Sequence, residues 1–251
     1  MKELKQRKAF EEVLAHYRMS DTSRATLQAT KLVLLAASTA AGRNTLIHEI
    51  LKTGEYYYIV SDTTREPRIN NGQLEKNGLV YWFRSEDDML ADLRAGKFLE
   101  AAIIHGLQVS GISIREVEQA KNEGKIAITD IEIVGVETIM EAKPDARAIF
   151  ILPPSFEAWQ QRIQARGTMH SQVYKHRMES AVKEFAAALE HDYYCFVINN
   201  DLHEAAERIH QIATANQLDQ AYQLKARQLT EQLLARTKAL IIELSNTPLG
   251  S

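Results

Sequence analysis

Residues 31–46 read Lys31-Leu32-Val33-Leu34-Leu35-Ala36-Ala37-Ser38-Thr39-Ala40-Ala41-Gly42-Arg43-Asn44-Thr45-Leu46. An unbroken apolar run gives way to small residues and then to a helix-forming sequence. The stretch therefore predicts a buried strand, a tight loop and a helix start. That order is the architecture of a phosphate-binding P-loop, in which backbone N–H groups and a helix N-terminus cradle a polyphosphate. The full pattern asks for Gly, four residues, then Gly-Lys-Ser/Thr. Here Ala37 takes the first position, Gly42 the second, and Arg43 and Asn44 the last two, so only Gly42 matches. An ordinary strand–loop–helix turn explains the stretch equally well when it is taken alone.

The chain has 251 residues, 45% of them apolar, enough for a sizeable core in one large domain with or without appendages. A net charge of -3 leaves no basic footprint, which argues against a nucleic-acid partner. The single cysteine, Cys195, excludes an internal disulfide and reads as a buried strand residue within Tyr193-Tyr194-Cys195-Phe196-Val197-Ile198. The charged first residues are not followed by a hydrophobic signal core, and no stretch approaches the ~18 uncharged residues of a membrane helix. The expectation is a cytoplasmic protein with no membrane partner.

Outward from the loop, the first 28 or so residues carry Phe10, Val13, Leu14 and Tyr17 at helical spacing, which predicts an amphipathic helix. The helix after the loop carries Leu46, Ile47, Ile50 and Leu51 and ends at Gly54. A strand over 56–60 runs into Ser61-Asp62-Thr63-Thr64-Arg65-Glu66-Pro67-Arg68. Two guanidinium groups among hydroxyls suit a tightly held phosphate, because Arg donates two hydrogen bonds in a fixed fork. A polar surface loop is the other reading. Turn dipeptides at Asn71-Gly72 and Asn77-Gly78 precede a strand over 79–83. Ser85 with Glu86, Asp87 and Asp88 predicts a helix N-terminus, Gly96 its end, and Ser113 with Glu116 a capping box. Glu100 lies within the apolar strand 98–104, where a carboxylate is costly unless paired, so it is a candidate to bind a donor group.

Strand 126–132 ends in Asp130 and Glu132, and acids at the carboxyl end of a parallel strand sit where such sheets bind ligands. The two acids also suit a strand-end salt-bridge role. Strand 146–152, a helix from Ser155 bearing Trp159, Arg162 and Arg166, a helix over 171–190 bearing Arg177, and strand 194–198 follow. Helix then runs over 202–244 with a break near 214–216. Its later part sets Tyr222, Ala226, Leu229, Leu233, Leu240 and Leu244 in an apolar stripe, which fits packing on the domain or a homodimer through the terminal helices. His48, His105 and His176 lack ligand-like spacing, and Trp82 and Trp159 read as core or rim aromatics. Strands alternating with helices predict an α/β fold with a largely parallel sheet.

The order of motifs resembles guanylate kinase, a P-loop nucleoside monophosphate kinase. Residues 61–68 look like the S-x-T-T-R-x-P-R segment of that family, and Asn77-Gly78-Leu79-Val80-Tyr81-Trp82-Phe83 like its N-G-x-x-Y-x-F. Gly96-Lys97-Phe98-Leu99-Glu100 resembles G-x-F-x-E, and Asp130-Ile131-Glu132 followed by Gly135 resembles D-I-D-x-x-G. Phe150-Ile151-Leu152-Pro153-Pro154-Ser155, and Arg162 with Arg166-Gly167-Thr168, complete the series. The resemblance implies a P-loop NTPase-type parallel sheet flanked by helices, with a small mixed α/β acceptor-binding insertion, a helical lid, and extra N- and C-terminal helices. The division expected is a helix over 1–29, the kinase-like domain over 30–214 and a helical extension over 215–251. The insertion falls at about 61–113 and the lid at about 162–180.

The resemblance further implies that Ser61, Arg65, Arg68 and Tyr81 hold the phosphate of GMP, and that Glu100 accepts hydrogen bonds from the guanine N1–H and amino group. Asp130 sits near the acceptor nucleotide and the metal. Ala40, Ala41, Gly42, Arg43, Asn44 and Thr45 hold the phosphates of ATP, with Mg²⁺ on Asn44 and Asp130. Arg43, Arg162, Arg166 and Arg177 are the catalytic cations, the last three in the lid. The implied reaction transfers the ATP γ-phosphoryl group to GMP or dGMP, giving GDP and ADP.

Departures from the family pattern fall in the loop and beside the base. Ala37 replaces a Gly that permits close approach or φ > 0, Arg43 replaces a compact ammonium, and Asn44 replaces a metal-binding hydroxyl. Ile112 stands where the family has a hydroxyl for the base, and Ser113 beside it is the GMP-binding residue that the resemblance offers in its place. Two further readings follow: a catalytically impaired module that binds a nucleotide or a phosphorylated partner, and a kinase for a different phosphorylated acceptor.

Overall fold

The computed structural model describes residues 4–70, 72–104, 106–167, 170–214 and 218–246. Asn71, His105, Thr168 and Asn216, which figure in the expectations above, lie outside the described residues. The chain opens with helices α1 (Arg7–Ala15) and α2 (Asp21–Gln28), then strand β1 (Leu32–Ala37) and helix α3 (Arg43–Leu51). Short strands follow: β2 (Tyr56–Tyr58), β3 (Asp62–Thr63), β4 (Ile69–Asn70), β5 (Gln73–Leu74) and β6 (Trp82–Phe83). Next come α4 (Glu86–Arg94), β7 (Phe98–Ile104), β8 (Gln108–Ser113), α5 (Ile114–Asn122), β9 (Ile126–Asp130) and α6 (Ile133–Ala142). Then β10 (Arg147–Leu152), α7 (Phe156–Gln164), α8 (Ser171–Glu190), β11 (Tyr194–Ile198), α9 (Leu202–Thr214) and α10 (Gln220–Asn246).

The main sheet has strand order β11-β10-β1-β9-β2, and its ladders β1/β10, β10/β11 and β2/β9 are parallel. This is the α/β architecture that the alternation of strands and helices predicts. The described residues fall into two compact units. The first takes those up to 32 with 55–129 and 137–146; the second takes 33–54, 130–136 and those from 147 onward.

In the first unit, β6, β3, β8 and β7 form a second sheet in that order. Phe10 of α1, Met89, Leu90 and Leu93 of α4, Phe98 and Val109 build its core. The N-terminal segment is two helices where the periodicity predicts one. Ser20 breaks it by capping α2, accepting from the Ser23 N–H at 3.2 Å. Gly96 makes this possible: at φ +66° it ends α4, and a Cβ there would lie 2.5 Å from the Ser20 nitrogen. Ser85 caps α4 as expected, accepting from the Asp88 N–H. The predicted capping box at α5 forms only by half. Ser113 accepts from the Arg115 N–H, while Glu116 turns to the Val60 N–H and the Tyr57 hydroxyl. The predicted strand 79–83 shrinks to Trp82–Phe83, because Gly78 turns the chain and leaves Leu79 and Val80 exposed.

In the second unit Val33-to-Ala36 burial continues through β10, whose Phe150 meets Phe185, Tyr194 and Phe196 edge-on at 5.9–6.4 Å between ring centroids. Trp159 is fully buried against Phe185. Helix α10 packs on α8 and β11 through Ala226, Thr230, Leu233 and Thr237. Packing on the domain, one of the two readings of its stripe, thus accounts for Tyr222, Ala226 and Leu233. Tyr222 accepts from the Ile198 N–H, and the Gln223 amide brackets the N–H and C=O of Phe196 on edge strand β11. Cys195 is half-buried in β11, and burial pushes its thiol up, away from the reactive thiolate. No helix of the described residues is long and apolar enough to cross a membrane.

Candidate active site

The loop of the second unit is built by its backbone. The Ala41 N–H donates to the Ser38 C=O at 3.2 Å, and Gly42 at φ +96° caps α3. Left-handed backbone falls on Ala40 (φ 60°) and Gly42. Ala37, counted above as a departure that restricts the loop, is the last residue of β1 and has strand geometry. Ala37 therefore needs no positive φ. The strain sits at Ala40, where a Cβ in left-handed backbone costs about 1 kcal/mol, as is common in ligand-binding loops. Gly42 is required twice over, by its φ and because a Cβ would lie 2.2 Å from Asn199 Nδ2.

Side chains from far along the sequence hold the loop carbonyls. Trp159 Nε1 donates to Thr39 O at 2.7 Å, and Asn199 Nδ2 to Ala41 O at 2.9 Å. Arg162 Nη1 reaches Ala41 O at 3.4 Å while its Nη2 donates to Asn199 O at 2.9 Å. The guanidinium of Arg162, a residue expected in the lid, ties α7 to the loop and to the end of β11. Beyond Gly42, which has no side chain to cap the helix, Arg43, Asn44 and Thr45 carry the orphan N–H groups of every helix start. These groups are the anion-binding end of the element.

Arg43 Nη2 pairs with Asp130 Oδ2 at 2.7 Å, with about a quarter of each side chain exposed. Arg43 Nε and Ser38 Oγ are buried with no partner among the described residues, and so is Glu184 Oε2 on α8. Burial pushes the Glu184 carboxyl up to about 7, Arg43 pulls against this, and Glu132 adds to it. The cluster thus sets one guanidinium among three carboxylates. Asn44 is exposed on the first turn of α3. Among the described residues no group of three His, Cys, Asp or Glu could hold a metal by itself. The Asn44 amide oxygen and the Asp130 carboxylate are hard oxygen donors. They fit a Mg²⁺ that takes its remaining ligands from water and substrate phosphates. Arg166 is exposed after α7, and Arg177 is half-buried on α8.

Segment 61–68 of the first unit, expected to take the acceptor, is held by side chains. Arg65 forks onto Glu75, Nη1 to Oε2 at 2.5 Å and Nη2 to Oε1 at 3.0 Å, and lies 4.8 Å above the Tyr81 ring. The double bond from Arg65 holds the Glu75 carboxyl down to about 2, helped by the Arg68 N–H. Asp62, fully buried, is gripped by Arg84 at 2.5 Å and Arg115 at 2.9 Å. Burial pushes its pKa up against the pull of both guanidiniums. Thr64 and Thr63 are tied to β8 through Val109 and Ser110. A cavity of about 510 Å³ opens here, lined by Arg65, Arg68, Arg84 and Lys5 and also by Glu66, Glu86 and Asp87.

The predicted residues therefore gather in two groups. Ala40 to Thr45, Arg162 and Asp130 meet in the second unit, with Asp130 held by Arg43. Arg65 and Arg68 share the cavity of the first unit, with Tyr81 beneath Arg65. Ser61 is half-buried ahead of β3, and Glu100 half-buried on β7. Ser113 is buried and gives its oxygen to the α5 cap, and Ile112 is buried beside it. Sequence reasoning missed Glu75, Asn199 and Glu184. Asn199, a polar residue at the carboxyl end of a parallel strand, carried a usable signal; Glu75 and Glu184 carried none.

A family model described as guanylate kinase matches residues 28–216. The guanylate kinase of Corynebacterium diphtheriae is 35% identical over 184 residues, covering 72% of this chain and 93% of that protein. That of Hahella chejuensis is 34% identical over 189 residues, covering 75% and 88%. The crystal structure of guanylate kinase from Anaplasma phagocytophilum aligns with a TM-score of 0.53 at 26% identity, over 82% of this chain and 97% of that one. With a loop held at a helix start, an arginine-lined acceptor cavity and these matches over three quarters of its length, the chain belongs to the guanylate kinase family.

Proposed function

We infer that this protein is a guanylate kinase, an enzyme that transfers the γ-phosphoryl group of ATP to GMP. An oxygen of the GMP phosphate attacks the γ-phosphorus, the bond from that phosphorus to the β–γ bridging oxygen breaks, and ADP leaves as GDP forms. No covalent intermediate on the protein is needed, so catalysis rests on positioning and on cations that meet the charge of the transferring group.

In this reading the N–H groups of 40–45 receive the phosphates of ATP, and Arg43 supplies the cation at the helix start. Arg162, Arg166 and Arg177, in the lid at about 162–180, add charge from the other side, and Arg162 also keeps the loop in shape. Ser61, Arg65, Arg68 and Tyr81, within the insertion at about 61–113, hold the GMP phosphate. Glu100 accepts from the guanine N1–H and 2-amino group, and the Ser113 hydroxyl is the one beside it that could reach the base. A Mg²⁺ brought in with ATP, on Asn44 and Asp130, would neutralise charge on the β- and γ-oxygens. ATP and GMP are cytoplasmic nucleotides, and we place the protein there.

The observation that carries this reading is the cavity at Thr64–Arg68, which gathers Arg65, Arg68 and Arg84 around a space of the size a nucleotide needs. ADP release in the presence of ATP, Mg²⁺ and each of GMP, dGMP, AMP, CMP and UMP tests it. Turnover should be confined to GMP and dGMP. Binding of GMP without turnover would replace the kinase with a nucleotide-binding module, and turnover of another acceptor would replace the substrate.

A further inference from the structure

α1 and Tyr17 lie ahead of the residues that the family model matches, yet they are built into the strand that carries Glu100. β7 is an edge strand, so the groups on its outer side have no strand to pair with. At Phe98 a single phenol takes both. The Phe98 N–H donates to Tyr17 Oη at 2.7 Å, and Tyr17 Oη donates to the Phe98 C=O at 2.7 Å. Burial pushes the Tyr17 phenol up, so it stays protonated and able to donate.

The register of β7 on β8 shifts at this point. Phe98 pairs with Ser113 and Glu100 with Ile112, so Leu99 is an extra residue. A bulge of this kind bends its strand and re-aims the next side chain. Here the next side chain is Glu100. The phenol is itself delivered by a docked segment. Glu86 accepts from the Lys5 and Gln6 N–H groups at 3.2 and 2.8 Å, and Phe10 is fully buried among Met89, Leu93 and Phe98.

We propose that Tyr17 is a positioning residue for Glu100: by pinning both polar groups of Phe98 it fixes the bulge that aims the carboxylate, and so sets the preference for guanine. The proposal rests on the reading of Glu100 as the guanine acceptor. The probe is the preference for GMP over inosine monophosphate, which lacks the 2-amino group and so removes one of the two donors to Glu100. Tyr17→Phe keeps the ring and deletes the hydroxyl. It should raise the KM for GMP roughly tenfold, the worth of one well-formed hydrogen bond to a fixed group. The GMP-to-inosine-monophosphate preference should shrink with it, while kcat and the KM for ATP stay near those of the parent.

Leu233→Ala, a buried change on α10 in the other unit from the phenol and Phe98, serves as the control for stability. It should lower the unfolding midpoint and leave the preference alone. Loss of preference in Leu233→Ala as well would assign the effect to general destabilisation and overturn the role of Tyr17. An unchanged preference in Tyr17→Phe would overturn it too. Glu100→Gln separates the two ideas: if it keeps the full preference, the reading of Glu100 fails, whatever Tyr17→Phe does.

Discussion

The two regions proposed to bind phosphate are made in opposite ways. The loop 38–45 is shaped by its backbone, with carbonyls held by Trp159, Asn199 and Arg162 and a left-handed glycine at its end. The acceptor segment 61–68 is shaped by side chains, with Arg65 locked on Glu75 and Asp62 locked between Arg84 and Arg115. A backbone site tolerates changes of side chain, since peptide groups are the same in every residue. A side-chain site does not, because a guanidinium fork and a carboxylate have no equivalent.

The comparison can be broken in three places. The largest expected effect is on stability at high pH. The Glu184 carboxyl, raised from 4.5 to about 7, makes stability greatest below pH 4.5 and lets it fall as pH rises through about 7. The fall is on the order of 3 kcal/mol as an upper bound. Glu184→Gln should abolish it, so urea midpoints of variant and parent should diverge between pH 5 and pH 8 in favour of the variant; parallel profiles would show that the group titrates normally. Next, Gly42→Ala should cost about 2 kcal/mol, from left-handed strain and the displaced Asn199 amide. ATP binding should weaken with it while GMP binding holds, as calorimetric titration with each nucleotide would reveal. An Ala variant of parental stability would mean the loop is not shaped by Gly42. Smallest is Glu75→Gln, which frees Arg65 from its charged partner. It should raise the KM for GMP roughly tenfold without moving the KM for ATP. Equal change in both constants would show that the two regions are not independently built.

Much of the fold and of the acceptor site was legible in the chain itself. Strands 32–37, 147–152 and 194–198 announce themselves as apolar runs, and Ser85 and Ser155 as helix caps, because burial and capping depend on neighbouring residues. Residues 61–68 are recognisable because their hydroxyls and guanidiniums are contiguous. The N-terminal segment was misread as one helix, since its break depends on Gly96, which admits Ser20 from far along the chain.

The sequence alone determined which groups are available: a loop of small residues, paired arginines, a carboxylate in a strand. Tertiary structure alone decided their partners. Arg43 meets Asp130 across 87 positions, Asn199 meets Ala41 across 158, and Tyr17 meets Phe98 across 81. No local pattern encodes such pairs, because they form only when strands far apart in the chain pack side by side and leave their polar groups to be satisfied. The loop at 31–46 is thus found by reading the chain, and its working shape is set by residues the chain places more than a hundred positions away.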